Sequence, residues 1–183
     1  SQRIRALNSN LSELKKDKPD MLTVYFNMED TCNMILEEAK NIIKAENGSV
    51  MLIDEQGILT IKAAFGKEAG RKLHFGVGEG IAGDVLRKGQ AELVNNVTMD
   101  SRFKTGATNI NSLLCVPLKF ASHNIGVINM SLSSEKLFTI DDLKLLHCLS
   151  AYASVAIHNA QNFSNLRNST DKVLSNVTIL DAY

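Results

Sequence analysis

The sequence predicts an α+β fold in which an antiparallel sheet is bracketed by helices. Three observations predict it. Residues 49–54 (SVMLID) with 58–65 (ILTIKAAF), and residues 112–120 with 125–133, are paired apolar runs on either side of a polar turn, as hairpin strands are. Apolar residues at helical spacing occupy both ends of the chain. Between the hairpins, residues 75–89 carry four glycines in eight residues and then a short amphipathic run, the pattern of a tight turn opening a helix.

Taken in order, Ile4, Leu7, Leu11 and Leu14 recur at 3, 4, 3 spacing and predict a short coiled-coil helix over residues 1–19, broken at Pro19. A second helix over residues 22–45 sets Met28, Cys32, Ile35, Leu36, Ala39, Ile42 and Ile43 on one face, with Gly48 past its end. The first hairpin turns through Glu55, Gln56 and Gly57, and residues 66–72 form a polar connection. Ile81, Val85 and Leu86 supply the apolar face of the two-turn helix, which stops at Lys88 and Gly89. A short strand over residues 92–95 leads to an irregular connection containing Asp100, Arg102 and Phe103. The second hairpin turns at residues 121–124, and Pro117 inside its first strand requires an edge, a bulge or a non-hydrogen-bonded site.

The last helix begins near Thr139, where the hydroxyl with Asp141 and Asp142 suits the positive end of a helix dipole. Leu149, Tyr152, Ala156, Asn159, Phe163, Leu166, Thr170, Val173, Val177 and Leu180 then keep 3, 4 spacing for more than four heptads. One core needs only the first half of that seam. The second half predicts a partner helix, most simply that of a second copy in a parallel coiled coil.

Lys+Arg and Asp+Glu each number 20, so no charge excess supplies the sequence-independent attraction of nucleic-acid binders. No apolar run approaches the roughly 20 residues of a membrane span. The three scattered cysteines, Cys32, Cys115 and Cys148, suit a reducing compartment better than a disulfide framework, and the reading is cytoplasmic. A chain that opens on Ser1 and ends at Tyr183 inside a helical pattern is expected to be a piece of a longer protein, which itself would be free to carry a membrane anchor.

Five motifs in this order, GEGIAG (residues 78–83), NVTMDSRF (96–103), SLLCVPL (112–118), NIGVINM (124–130) and LFTIDDLKLL (137–146), make the chain resemble the GAF domain over residues 22–162. The resemblance implies a five- or six-stranded antiparallel sheet with the first and last helices on one face and a roofed small-molecule pocket on the other. It implies a domain at residues 20–163, with residues 164–183 extending as a signalling helix toward an output domain. It implies a regulatory, non-enzymatic sensor and dimerisation module of a bacterial signalling protein, with no particular cofactor fixed. The family's pocket positions fall on Ser49, Phe65, Ile81, Ala82, Lys104, Thr108 and Asn129. Phe65 would stack on a planar ring, Ser49, Thr108 and Asn129 would fix its polar edge, and Lys104 would meet an anion.

The chain departs from the cyclic-nucleotide-binding pattern of phosphodiesterase GAF domains. Leu132 and Ser133 stand in place of an Asn-Lys pair; Phe138 is kept, and Asp141 and Asp142 arrive one residue early, which counts against cyclic GMP or AMP. Gly78, Gly80 and Gly83 spell GxGxxG, but the preceding strand is half polar and no carboxylate closes the next one, as a dinucleotide site requires. A second reading is a GAF-fold redox enzyme of the free methionine-R-sulfoxide reductase type, which needs roof cysteines that are missing between Cys32 and Cys115. A third is a structural dimerisation spacer whose pocket its own side chains fill.

Overall fold

The computed structural model describes residues 27–103 and 109–180. The coiled-coil expectation for residues 1–19 lies outside them. In chain order the elements are α1 (Met28–Ile42), β1 (Asn47–Ile53), β2 (Ile58–Phe65), β3 (His74–Gly76), α2 (Gly80–Lys88), β4 (Glu92–Asn95), β5 (Ser112–Phe120), β6 (His123–Leu132) and α3 (Ile140–Leu180). The strands form one antiparallel sheet in the order β3-β2-β1-β6-β5-β4.

Sequence chemistry sets the element ends. The Asn27 side chain accepts the Glu29 N–H at 3.0 Å and starts α1. Thr139 and Asp142 cap α3 reciprocally: the Thr139 N–H and hydroxyl donate to Asp142 Oδ2 at 2.8 Å, and the Asp142 N–H returns to the Thr139 hydroxyl at 3.2 Å. Gly89 ends α2 in the left-handed region at φ 64. β1 begins two residues earlier than expected, because Asn47 is buried and its side-chain oxygen accepts the Lys67 N–H at 2.7 Å. The β5–β6 turn is tighter than expected: Phe120 pairs with His123, leaving two residues in the turn with Ala121 at φ 52. Pro117 lies beyond Glu92↔Cys115, the last pair β4 makes with β5, so no ladder partner there needs its missing N–H.

One face of the sheet carries α1 and α3. Leu114, Val116, Ile128 and Met130 meet Cys32, Leu36, Leu146 and Ile157 in a continuous core. The stripe of α3 that faces this core is Leu146, Ser150, Ala153, Ser154, Ile157 and Ala160. Of the 149–152–156–159 seam read from the sequence, Leu149 packs partly against this core, but Tyr152 is 79% exposed and Ala156 and Asn159 are open. The reason is that small residues let the helix lie close on the sheet. The Ser150 and Ser154 hydroxyls donate to the carbonyls of His147 and Ser150 at 2.7 and 2.6 Å, so these buried polar groups are satisfied within the helix. His158 stacks on Phe120 with ring centroids 3.6 Å apart, pinning α3 to the end of β5.

Candidate functional site

The other face of the sheet is built differently. Met51, Leu59, Leu113, Cys115 and Val127 project from the strands and pack under Ile81, Val85 and Leu86 of α2. The glycine-rich turn brings α2 down onto the sheet edge. A Cβ on Gly83 would stand 2.3 Å from the Gly76 carbonyl oxygen, so only glycine allows that approach. The loop closes on itself, since the Glu79 carboxylate accepts the Gly76 N–H at 2.8 Å and the Gly78 N–H donates to the Gly83 carbonyl at 2.8 Å. Amides that a dinucleotide would need are thus already used.

Between α2, the sheet and the residues following Gly66 lies a cavity of about 220 Å³. Its apolar lining includes Met51, Leu73, Phe75, Ile81, Phe103, Ile110 and Leu113, and its polar lining Ser49, Asn129 and Ser131 from the two central strands. Glu68 and Arg71 complete the polar side, 3.5 Å apart. At ~30 Å³ per water the space equals about seven waters, below the usual ligand-site range of about 300–1,000 Å³, which suits a compact molecule.

Four expected contact residues, Ser49, Ile81, Ala82 and Asn129, line this cavity together. The Asn129 amide donates to the Ser49 hydroxyl at 3.4 Å, a long bond that a ligand's polar group would improve on. Lys104 and Thr108 lie outside the described residues. Phe65 is on the wrong side: it packs with the helical core, under the Lys40 ammonium at 5.2 Å. The cause is a β-bulge, because Ala63 pairs with Val50 but Ile61 pairs with Met51, leaving Lys62 over. Leu59 and Ile61 face the cavity side; past the extra residue, Ala63 and Phe65 face the helices. Phe75 and Phe103 supply the aromatic surface instead.

Arg102, which the sequence reading left without a role, is the electrostatic centre of the roof. It meets Asp84 of α2, Glu92 of β4 and Asp100, each at 2.7 Å. Lys88 approaches Asp84 at 2.6 Å, and Arg87 pairs with the same carboxylate. The Lys88 ammonium, with the Arg87 and Arg102 guanidiniums, holds the buried Asp84 carboxyl far below its ordinary range, and the Arg102 hydrogen bond lowers that of Asp100. The DxR spacing at residues 100–102, directly before Phe103, is the signal from which this could have been read.

The cysteines offer no reactive thiol in the cavity wall. Burial pushes the Cys32 thiol up to about 12, and burial with the nearby Glu92 charge raises that of Cys115 as well. Among the described residues no group of three or more His, Cys, Asp or Glu is arranged to hold a metal ion, and no helix is long and apolar enough to cross a membrane.

Comparison with known proteins agrees with this geometry. The family model described as GAF domain matches residues 27–158. The chain is 25% identical over 156 residues to a probable 3′,5′-cyclic phosphodiesterase, pde-5, of Caenorhabditis elegans, covering 75% of this chain and 21% of that protein. It is 27% identical over 135 residues to the Nif-specific regulatory protein of Azospirillum lipoferum, covering 64% of this chain and 22% of that protein. The chain thus spans about a fifth of the length of these curated relatives. Among solved structures, the GAF domain of a phosphoenolpyruvate-protein phosphotransferase from Coxiella burnetii superposes with a TM-score of 0.68 at 16% identity, over 88% of this chain and 96% of that one. A type II free methionine-R-sulfoxide reductase of Thermoplasma acidophilum superposes at 0.62 and 14% identity, over 72% and 96%.

Proposed function

The chain belongs to the GAF domain family, and on that premise we propose that it is the small-molecule-sensing module of a signalling protein, dimerising through its terminal helices and passing its state along α3 to an output domain of the same parent chain. The observation that carries this reading is the cavity, where hydroxyl and amide groups of Ser49, Asn129 and Ser131 converge on an otherwise apolar space. An amphipathic molecule held there would touch strands β1 and β6 and helix α2 together. Its binding energy would then favour one packing of α2 and the sheet over another.

The relatives come from a nematode and a bacterium, so they support the signalling class rather than a bacterial source. Cyclic nucleotides enter as probes because one relative is named a cyclic phosphodiesterase; the small cavity and the departures at Leu132 and Ser133 favour a smaller ligand. A sulfoxide reductase would need a reactive thiol, which the raised pKa of Cys115 opposes.

Native mass spectrometry of the chain as purified is the test. The expected result is a small molecule retained at one per protomer and lost in Ser49→Leu with Asn129→Leu, both of which fill the cavity. A chain that carries no molecule, and whose melting temperature neither cyclic nucleotides nor a metabolite panel raises, overturns the sensor. Sedimentation at micromolar concentration tests the pairing: a dimer is expected, and a monomer overturns it.

A further inference from the structure

We propose that the tip of the β5–β6 hairpin, residues 119–124, couples α2 to α3, so that the position of the helix over the cavity is read at the helix leaving the domain. Its role in signalling rests on the sensor reading above.

The sheet separates the two helices. On one face Cys115 and Val127 pack under α2, and on the other Val116 and Ile128 pack into the core that α3 completes. The body of the hairpin is held on both edges and yields little. The tip is not: β1 pairs with β6 as far as Gly126 and β4 with β5 as far as Cys115, so among the described strands the tip has no neighbour. A β-bulge marks its base. Leu118 pairs with Gly126 and Lys119 with Asn124, which leaves Ile125 over and interrupts the ladder there. Residues 119–124 form a short piece that can pivot against the sheet.

That piece grips both helices. The Asn124 amide donates to the Leu86 carbonyl at 2.6 Å, one of the last carbonyls of α2, which a helix end leaves without a donor of its own. Gly89 makes room for this bond, since a Cβ there would stand 2.9 Å from the Asn124 amide nitrogen. On the other side of the sheet the Phe120 ring stacks on His158 of α3, with centroids 3.6 Å and planes 14° apart. The His158 ring is held in turn by Asn162, one turn further along, at 3.0 Å. Ile81 and Ala82 of α2 line the cavity, so an occupant that moves them pulls on Leu86. The pull turns the tip and shifts the ring on which His158 rests. His158 lies two residues before Ala160, the last buried position described on α3, where the helix leaves the globule.

Amide hydrogen exchange of the full chain, read by mass spectrometry with no ligand added, tests this. Asn124→Asp keeps the shape and removes the donor; His158→Ala removes the stack. In Asn124→Asp the amides of residues 154–162, across the sheet, are expected to exchange at least about threefold faster, and in His158→Ala those of residues 85–89 should do the same. At each helix the double variant is expected to stay within about twofold of the faster single variant, because a tip released from one helix passes nothing to the other. Each substitution loosening only the helix it touches overturns the proposal, as do effects that multiply in the double variant, the mark of independent sites. The amides of β1, in the middle of the sheet, report global unfolding. Should they lose protection in either variant, Asn124→Ser and Phe120→Leu take their place and are judged by the same two results. An empty cavity in native mass spectrometry would end the sensor reading and leave this coupling standing, whereas uncoupled exchange would end the coupling and leave the sensor.

Discussion

On the face of the sheet covered by α1 and α3, Leu114, Ile128 and Met130 are fully buried against Leu36, Leu146 and Ile157. On the face covered by α2 and the roof, Met51, Cys115 and Val127 are buried to the same degree, yet a space of about 220 Å³ remains above them. The first face is held by dispersion and apolar burial. The second is held at its rim, where Arg102 ties α2, β4 and the loop after it through Asp84, Glu92 and Asp100. A hollow costs packing energy, and a rim of ion pairs keeps the roof in place without filling it. The division leaves one face of the sheet filled and the other hollow.

Mutation should separate the two faces. Leu146→Ala, at a fully buried position of the filled face, is expected to cost about 2–5 kcal/mol in urea unfolding, and a loss under about 1 kcal/mol would show that this core is loosely packed. Gly83→Ala forces a methyl against the Gly76 carbonyl and should cost about 1–3 kcal/mol while displacing α2; thermal unfolding and loss of any retained ligand read this together. Arg102→Met keeps the side chain's bulk but removes the cation that pairs with Asp100 and one of those that pair with Asp84 and Glu92, and a loss of about 1–3 kcal/mol is expected.

The pH dependence sharpens that last result. Asp84 and Asp100 have folded pKa values below their ordinary 3.8, so their ionised forms stabilise the fold above about pH 4, and that contribution is lost as pH falls through the folded values. The stability gap between the unaltered chain and Arg102→Met should therefore be constant from about pH 5 to 8 and narrow below about pH 4. A gap unchanged in acid would mean that the ion pairs to Asp84 and Asp100 are not what stabilises the roof. The smallest effect is expected at the cavity wall: Ser49→Ala should change stability by less than about 1 kcal/mol while weakening ligand retention, because among the described residues its hydroxyl is met by the long bond from Asn129.

The strands, α2 and the cap of α3 were legible because each rests on a local rule, such as the Thr139–Asp142 pair or Gly89 after Lys88. What failed was the assignment of faces. The extra residue at Lys62 reverses which side of the sheet Phe65 occupies, and a bulge leaves no mark in a run such as ILTIKAAF. On α3 the heptad pattern tracked Leu149 and Tyr152, while the core chose the neighbouring stripe of Ser150, Ala153 and Ser154, whose small size is what close packing needed. Four of the expected cavity residues come together, but Arg102 gained its role only from contacts with residues 18, 10 and 2 positions away in sequence.

The length of α3 has a mechanical consequence. Among the side chains described its last buried position is Ala160, and the helix continues to Leu180, about 30 Å further at 1.5 Å per residue. A pivot of about 5° where the helix lies on the sheet would sweep the far end through about 2–3 Å, half a turn's pitch. A displacement too small to disturb the globule becomes, at the tip of this lever, large enough to unseat one side chain from the next.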